Sequence, residues 1–116
     1  MAKEKTVFVV RSKIWIEDME GNVVFGLGRY TILKTIRDLG SMHAAAKKLK
    51  MSYRAVWMRI RTSEERIGKP LVMRQGKGSR LTPFAEDLMK RFKRLHAIVE
   101  AESDDVYESL MSEYLS

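Results

Sequence analysis

The chain has 116 residues, 45% of them hydrophobic and 32% charged, with no cysteine and a formal net charge of +7 at pH 7. That is enough for one compact domain with a helical extension. Lack of cysteine excludes disulfides and thiolate metal sites, and no apolar run approaches the ~18 residues of a membrane span.

The polar start, Met1 to Lys5, runs straight into Thr6-Val7-Phe8-Val9-Val10 without the small-residue cleavage site of a secretory signal, so a cytoplasmic location is expected. Charge is unevenly placed. Residues 100–116 hold Glu100, Glu102, Asp104, Asp105, Glu108 and Glu113 and no Lys or Arg, so residues 1–99 carry 22 basic against 9 acidic residues, a net +13. The densest stretch is 41–80, where eleven basic residues face only Glu64 and Glu65. A basic centre with an acidic end suits a surface that binds a polyanion beside a segment that keeps off it; a merely solubilising surface would look the same by charge alone.

In chain order, Phe8, Val10, Ser12, Ile14 and Ile16 alternate with Val9, Arg11, Lys13, Trp15 and Glu17, the period of a strand. Glu20-Gly21-Asn22 is a turn, and Val23-Val24-Phe25 a return strand. From Arg29 the period becomes helical, with Ile32 or Leu33, Ile36 and Leu39 on one face and Gly40 as a left-handed C-terminal cap. Ser41 caps a short helix from Met42 to about Leu49, and Ser52 caps a third that runs to Gly68. Pro70 stops the helix. Leu71-Val72-Met73 and Arg80-Leu81-Thr82 read as strands around a Gln75–Ser79 turn. Thr82 then caps a long helix with Pro83 in its first position. Along it Phe84, Leu88, Phe92, Leu95, Val99, Glu102 and Val106 form a seam-like stripe. Asp105 and Glu108 could make a capping box for a separate terminal helix after a break near Ser103-Asp104.

This order predicts a mainly α fold with small β: a winged helix-turn-helix with an N-terminal β-hairpin and a long C-terminal dimerisation helix. Residues 1–82 form the DNA-binding domain and 83–116 the dimerisation segment with its acidic end. On the third helix Val56, Ile60, Ser63 and Ile67 share one face, and Arg54, Met58, Arg61 and Glu65 lie opposite. Two arginines on the outer face of the second helix of such a pair suit major-groove reading, because Arg can donate to both acceptors of guanine. Tyr53 and Trp57 flank that face, where an aromatic can touch a thymine methyl or a sugar; partial packing on the neighbouring helix suits Trp57 equally well. Lys77 and Arg80 read as the basic tip of a wing, and the same glycine-rich turn could be an ordinary hairpin. Catalysis finds little footing. His43 and His96 have no acidic or cysteine ligand at metal spacing, Glu17, Asp18 and Glu20 read as a solvated turn, and no serine has an evident His partner. No metal, cofactor or enzymatic activity is expected.

Phe25-Gly26-x-Gly28-Arg29 and Gly40-Ser41-Met42-x-Ala44-Ala45-Ala46-x-x-Leu49-x-Met51-Ser52-Tyr53-Arg54-x-x-Trp57 resemble the N-terminal domain of ModE-type molybdate-responsive transcription regulators. Pro70-Leu71-Val72 and Arg80-Leu81-Thr82-x-Phe84-Ala85-x-x-Leu88 continue the likeness, which spans about residues 7–95 and is shared with the LysR-type helix-turn-helix regulators. The resemblance implies a winged-helix regulator that dimerises through the helix after the wing. It implies that Ser41 and Ser52 donate to phosphates, with Tyr53, Arg54, Trp57, Met58 and Arg61 on the groove face. The chain departs from the pattern in its short wing, in the polar run Arg59, Arg61, Thr62 and Ser63, and in ending at Ser116, where full-length members continue into oxyanion-binding domains.

The expected function is sequence-specific binding of double-stranded DNA as a homodimer through Leu88, Phe92, Leu95 and Val99, regulating transcription. A non-specific architectural nucleic-acid-binding protein and a protein-interaction module remain as alternatives. No oxyanion effector is expected on this chain alone, since its last segment offers few hydroxyl donors amid six carboxylates.

Overall fold

Small hydroxyl residues and glycines set the helix boundaries. The Oγ atoms of Ser41 and Ser52 accept from the backbone N–H groups of Ala44 and Ala55 at 3.2 and 3.0 Å, and Thr82 Oγ1 accepts from that of Ala85 at 3.1 Å. Gly40 and Gly68 take left-handed φ of 72° and 82° and return their N–H groups to Ile36 O and Glu64 O. The computed structural model describes residues 7–116 and runs β1 (Trp15–Glu17), β2 (Val23–Gly26), α1 (Leu27–Leu39), α2 (Met42–Lys48), α3 (Tyr53–Ile67), β3 (Val72–Gln75), β4 (Gly78–Leu81) and α4 (Pro83–Tyr107), with a last π-helical turn at Glu108–Ser112. The mainly helical winged helix-turn-helix is therefore the fold of the chain.

Two compact units are formed. One is Ile14–Phe92; the other is Lys93–Ser116 with the residues up to Lys13. The first holds the core: Phe25, Ile32, Leu33 and Ile36 meet Ala45, Ala46, Val56, Ile60, Leu71, Leu81, Ala85, Met89 and Phe92. Each buried Leu, Ile, Phe or Met there contributes about 1.5–3 kcal/mol. Ala45 and Ala46, both buried, keep α2 thin where α3 crosses it. The Phe25 and Phe92 rings meet edge-on, 5.2 Å between centroids at 81°. Among the described residues, no helix is long and apolar enough to cross a membrane.

Several expected boundaries move. Of the strand read over Phe8–Ile16 only Trp15–Glu17 is paired, antiparallel to β2 with a bulge after Ile16. A four-residue return strand has no backbone groups left to pair with residues 8–14, although half-buried Val10, Ser12 and Ile14 keep the alternation with exposed Arg11, Lys13 and Trp15. Asp18, rather than Glu20, organises the turn. Its carboxylate accepts from the backbone N–H groups of Glu20 and Asn22 at 2.9 Å each, and these bonds, Asn22's foremost, hold its pKa below the usual value. The helix α1 starts at Leu27, ahead of Arg29, and Leu39 is exposed because the left-handed Gly40 follows it at once. The wing strands close over two residues, Gly76-Lys77, with Gln75 paired to Gly78. No break occurs at Ser103-Asp104; α4 runs unbroken to Tyr107.

Candidate nucleic-acid interface

The turn between α2 and α3 brings two helix N-termini together. Leu49 and Met51 donate their N–H groups to Ala45 O and Ala46 O, both at 2.9 Å. Between them Lys50 takes a left-handed φ of 55°, a conformation that costs a non-glycine residue about 1 kcal/mol and reverses the chain into Ser52. Ser41 and Ser52 spend a lone pair on their caps, and each hydroxyl keeps its proton to donate. Next to the two caps, the rings of His43 on α2 and Tyr53 on α3 stack nearly parallel, 3.9 Å apart at 10°.

The outward row of α3 is Arg54, Met58, Arg61 and Glu65, all exposed, with Tyr53 and Trp57 beside it also exposed. The two arginines differ. Arg54, in the first turn, has no ion-pair or hydrogen-bond partner among the described residues. Arg61 lies 3.5 Å from Glu65 and 3.9 Å from Glu64, so part of its charge is already countered.

The wing is fastened at its base. Ser79 donates its N–H to Gly40 O at 2.8 Å, and a Cβ on Gly78 would stand 2.3 Å from that same oxygen. Glu64 clamps the other strand, its Oε2 accepting from the N–H groups of Leu71 and Val72 at 2.7 and 3.3 Å. Thr82 locks the exit, with its hydroxyl on Pro70 O at 2.8 Å and its N–H on Leu71 O at 3.0 Å. Between helix pair and wing lies a groove of about 400 Å³. Of the residues expected to touch DNA, it gathers Ser41, Tyr53, Trp57, Arg61 and Lys77; Ser52, Arg54, Met58 and Arg80 lie outside its lining, exposed around it. The groove adds Arg74, which sequence reasoning passed over, and His43, which it weighed only as a metal ligand. Their signal is faint, because it depends on pairing between elements rather than on spacing within one.

The opposite flank of α3 is structural. Ser63, fully buried, donates to Val24 O at 2.7 Å, and Arg66 donates to Val23 O, so β2 is strapped to the helix. Arg29 at the start of α1 has its Nε buried without a partner among the described residues. Burial, followed by the charges of Arg66 and Arg59, lowers its pKa.

On α4 the expected dimerisation stripe divides. Phe92 is core, only 2% exposed, and Leu88 packs partly against that core. Burial within one protomer removes Phe92 from any face offered to a second copy. Leu95, Ile98 and Val106 are well exposed and Val99 is half-buried. No cluster of three or more His, Cys, Asp or Glu able to hold a metal occurs among the described residues.

The fold has relatives. The family described as bacterial regulatory helix-turn-helix protein, lysR family, matches residues 27–86. The chain is 31% identical over 87 residues to the molybdenum transport protein ModE of Azotobacter vinelandii, covering 71% of this chain and 32% of that protein. It is 30% identical over 90 residues to the transcriptional regulator ModE of Haemophilus influenzae, covering 73% and 34%. The chain thus spans about a third of the length of these two relatives. Among solved structures, the CbnR DBD–DNA complex superposes with a TM-score of 0.58 at 20% identity, over 73% of this chain and 98% of that one, a likeness of fold.

Proposed function

Because the chain belongs to the lysR family of bacterial regulatory helix-turn-helix proteins, we propose that it binds duplex DNA in a sequence-dependent manner and regulates transcription as a homodimer. The observation that carries this reading is the placement of two hydroxyl-capped helix N-termini and an unpaired Arg54 beside a groove walled by a docked wing. Ser41 and Ser52 fix register on phosphates, and the exposed Lys77, Arg74 and Arg80 supply charge from the wing. Arg54 reads base edges, and Trp57 and Met58 offer apolar contact to thymine methyls. None of these groups is arranged for bond-making chemistry, and the reading assigns the chain no enzymatic role.

Assembly rests on α4. Leu95 and Val99 form the face proposed to meet a second copy. The acidic stretch 100–116 belongs to the same end of the chain and is repelled by the duplex.

Two measurements test the reading. Selection of bound fragments from a genomic DNA pool should enrich a two-fold sequence whose half-sites lie about one turn, ~34–36 Å, apart. Direct titration should then show affinity for the selected site well above that for random duplex. Nearly equal affinities would replace the reading with that of an architectural protein, and no affinity beyond that of any basic protein with that of an interaction module.

A further inference from the structure

One histidine lines the groove. His43 lies in the first turn of α2, exposed, its ring stacked on Tyr53 and both rings on the groove wall. Two features of that setting matter. Near-parallel stacking on Tyr53, with centroids 3.9 Å apart, holds the imidazole in one plane, so its N–H bonds point sideways out of the stack. The groove it lines also carries Arg74 and Lys77 from the wing and Arg61 from α3, the last already 3.5 Å from Glu65 and 3.9 Å from Glu64, and Lys47 follows one turn along α2. The one carboxylate lining this groove, Glu64, accepts from the Leu71 and Val72 N–H groups besides facing Arg61.

We propose that His43 is a titrating phosphate contact: held edge-out by Tyr53, its imidazolium donates to a backbone phosphate of the duplex, so that binding takes up a proton. The inference rests on the DNA-binding reading above and adds a coupling that reading does not contain. With a phosphate at the mouth of the groove, a protonated ring forms an ion pair and a charge-assisted hydrogen bond. A form favoured by the bound state is drawn out by binding, and by linkage the affinity rises as the proton concentration rises. Tyr53 is the positioning partner. It fixes the ring and spans α2 to α3 beside the two serine caps, so loss of the stack loosens the contact at every pH.

The test measures affinity for a random-sequence duplex, since a phosphate contact is indifferent to sequence, at constant ionic strength between about pH 5.5 and about pH 8.5, where histidine changes charge. The intact chain should bind roughly tenfold more tightly at the acid end than a His43→Phe variant does, relative to their affinities at the alkaline end. Phe preserves the stack and cannot titrate, so its profile should be the flatter. His43→Ala should bind more weakly throughout. The chain has only one other histidine, and His96→Gln should keep the pH profile of the intact protein. Parallel profiles for the intact chain and His43→Phe, or flattening by His96→Gln, would overturn the inference while leaving DNA binding in place. Absence of duplex binding at every pH would overturn both.

Discussion

Arg54 and Arg61 share one outward row of α3, yet only Arg61 has carboxylates at hand, Glu65 at 3.5 Å and Glu64 at 3.9 Å. An arginine that must leave an ion pair to reach a base gains less than one that starts in water beside the helix N-terminus. Arg54→Ala should therefore cost about 1–3 kcal/mol of discrimination between a selected site and random duplex. Arg61→Ala should weaken both by similar factors, with a shallower salt dependence of binding. Binding isotherms at several salt concentrations separate the two, and a larger loss of discrimination at Arg61 would reverse their roles. Spacing alone put both arginines on the outer face of α3 and ranked them equally, because the acidic partners that distinguish them count only once side-chain positions are fixed.

At the level of elements, what local chemistry dictates could be read directly. Ser41, Ser52 and Thr82 each bond the N–H three residues on, within reach of a short window of sequence, and all three stand as caps. Strand pairing is different. Phe8 to Ile14 carry a strand's alternation, but a strand also needs a neighbour's free backbone, and β2 is too short to supply it. The glycines of the wing show the same limit. Read as a flexible turn, Gly78 turns out to be the residue that admits Gly40 O, where a Cβ would come to 2.3 Å. Gly78→Ala must push one backbone off the other and should destabilise the protein by about 1–3 kcal/mol in urea unfolding. It should also reduce duplex affinity whatever the sequence, since the groove loses one wall. Gly76, at the tip, has left-handed φ but open space around its Cβ position, so Gly76→Ala should cost only about 1 kcal/mol and leave wing docking intact. Equal effects at the two glycines would mean that backbone conformation, and not the close approach, governs the wing.

For the whole molecule, assembly and coupling are the outstanding quantities. Leu95 is 44% exposed and Ile98 51%, a half-exposed apolar helix face, whereas Phe92 is core. Leu95→Glu should yield a folded monomer by light scattering at micromolar concentration, with sharply weaker duplex binding because one half-site must be held alone. Phe92→Glu should instead unfold the domain; a folded, monomeric Phe92 variant would return Phe92 to the interface. The N–H of Ser79, bonded to Gly40 O, carries a further consequence. A wing held only by its own two strands would shed amide protons on its own schedule. Here the Ser79 amide can exchange with solvent only when wing and helix turn part, so its hydrogen-exchange protection should match that of core amides such as Ile36, while the amide of Lys77 at the tip exchanges rapidly. Amide exchange followed by NMR reads both, and rapid exchange at Ser79 would show a wing that opens alone. If the protection holds, the reading head and the wing open as one cooperative unit with a single opening free energy, and a protein meeting DNA presents either the whole interface or none of it.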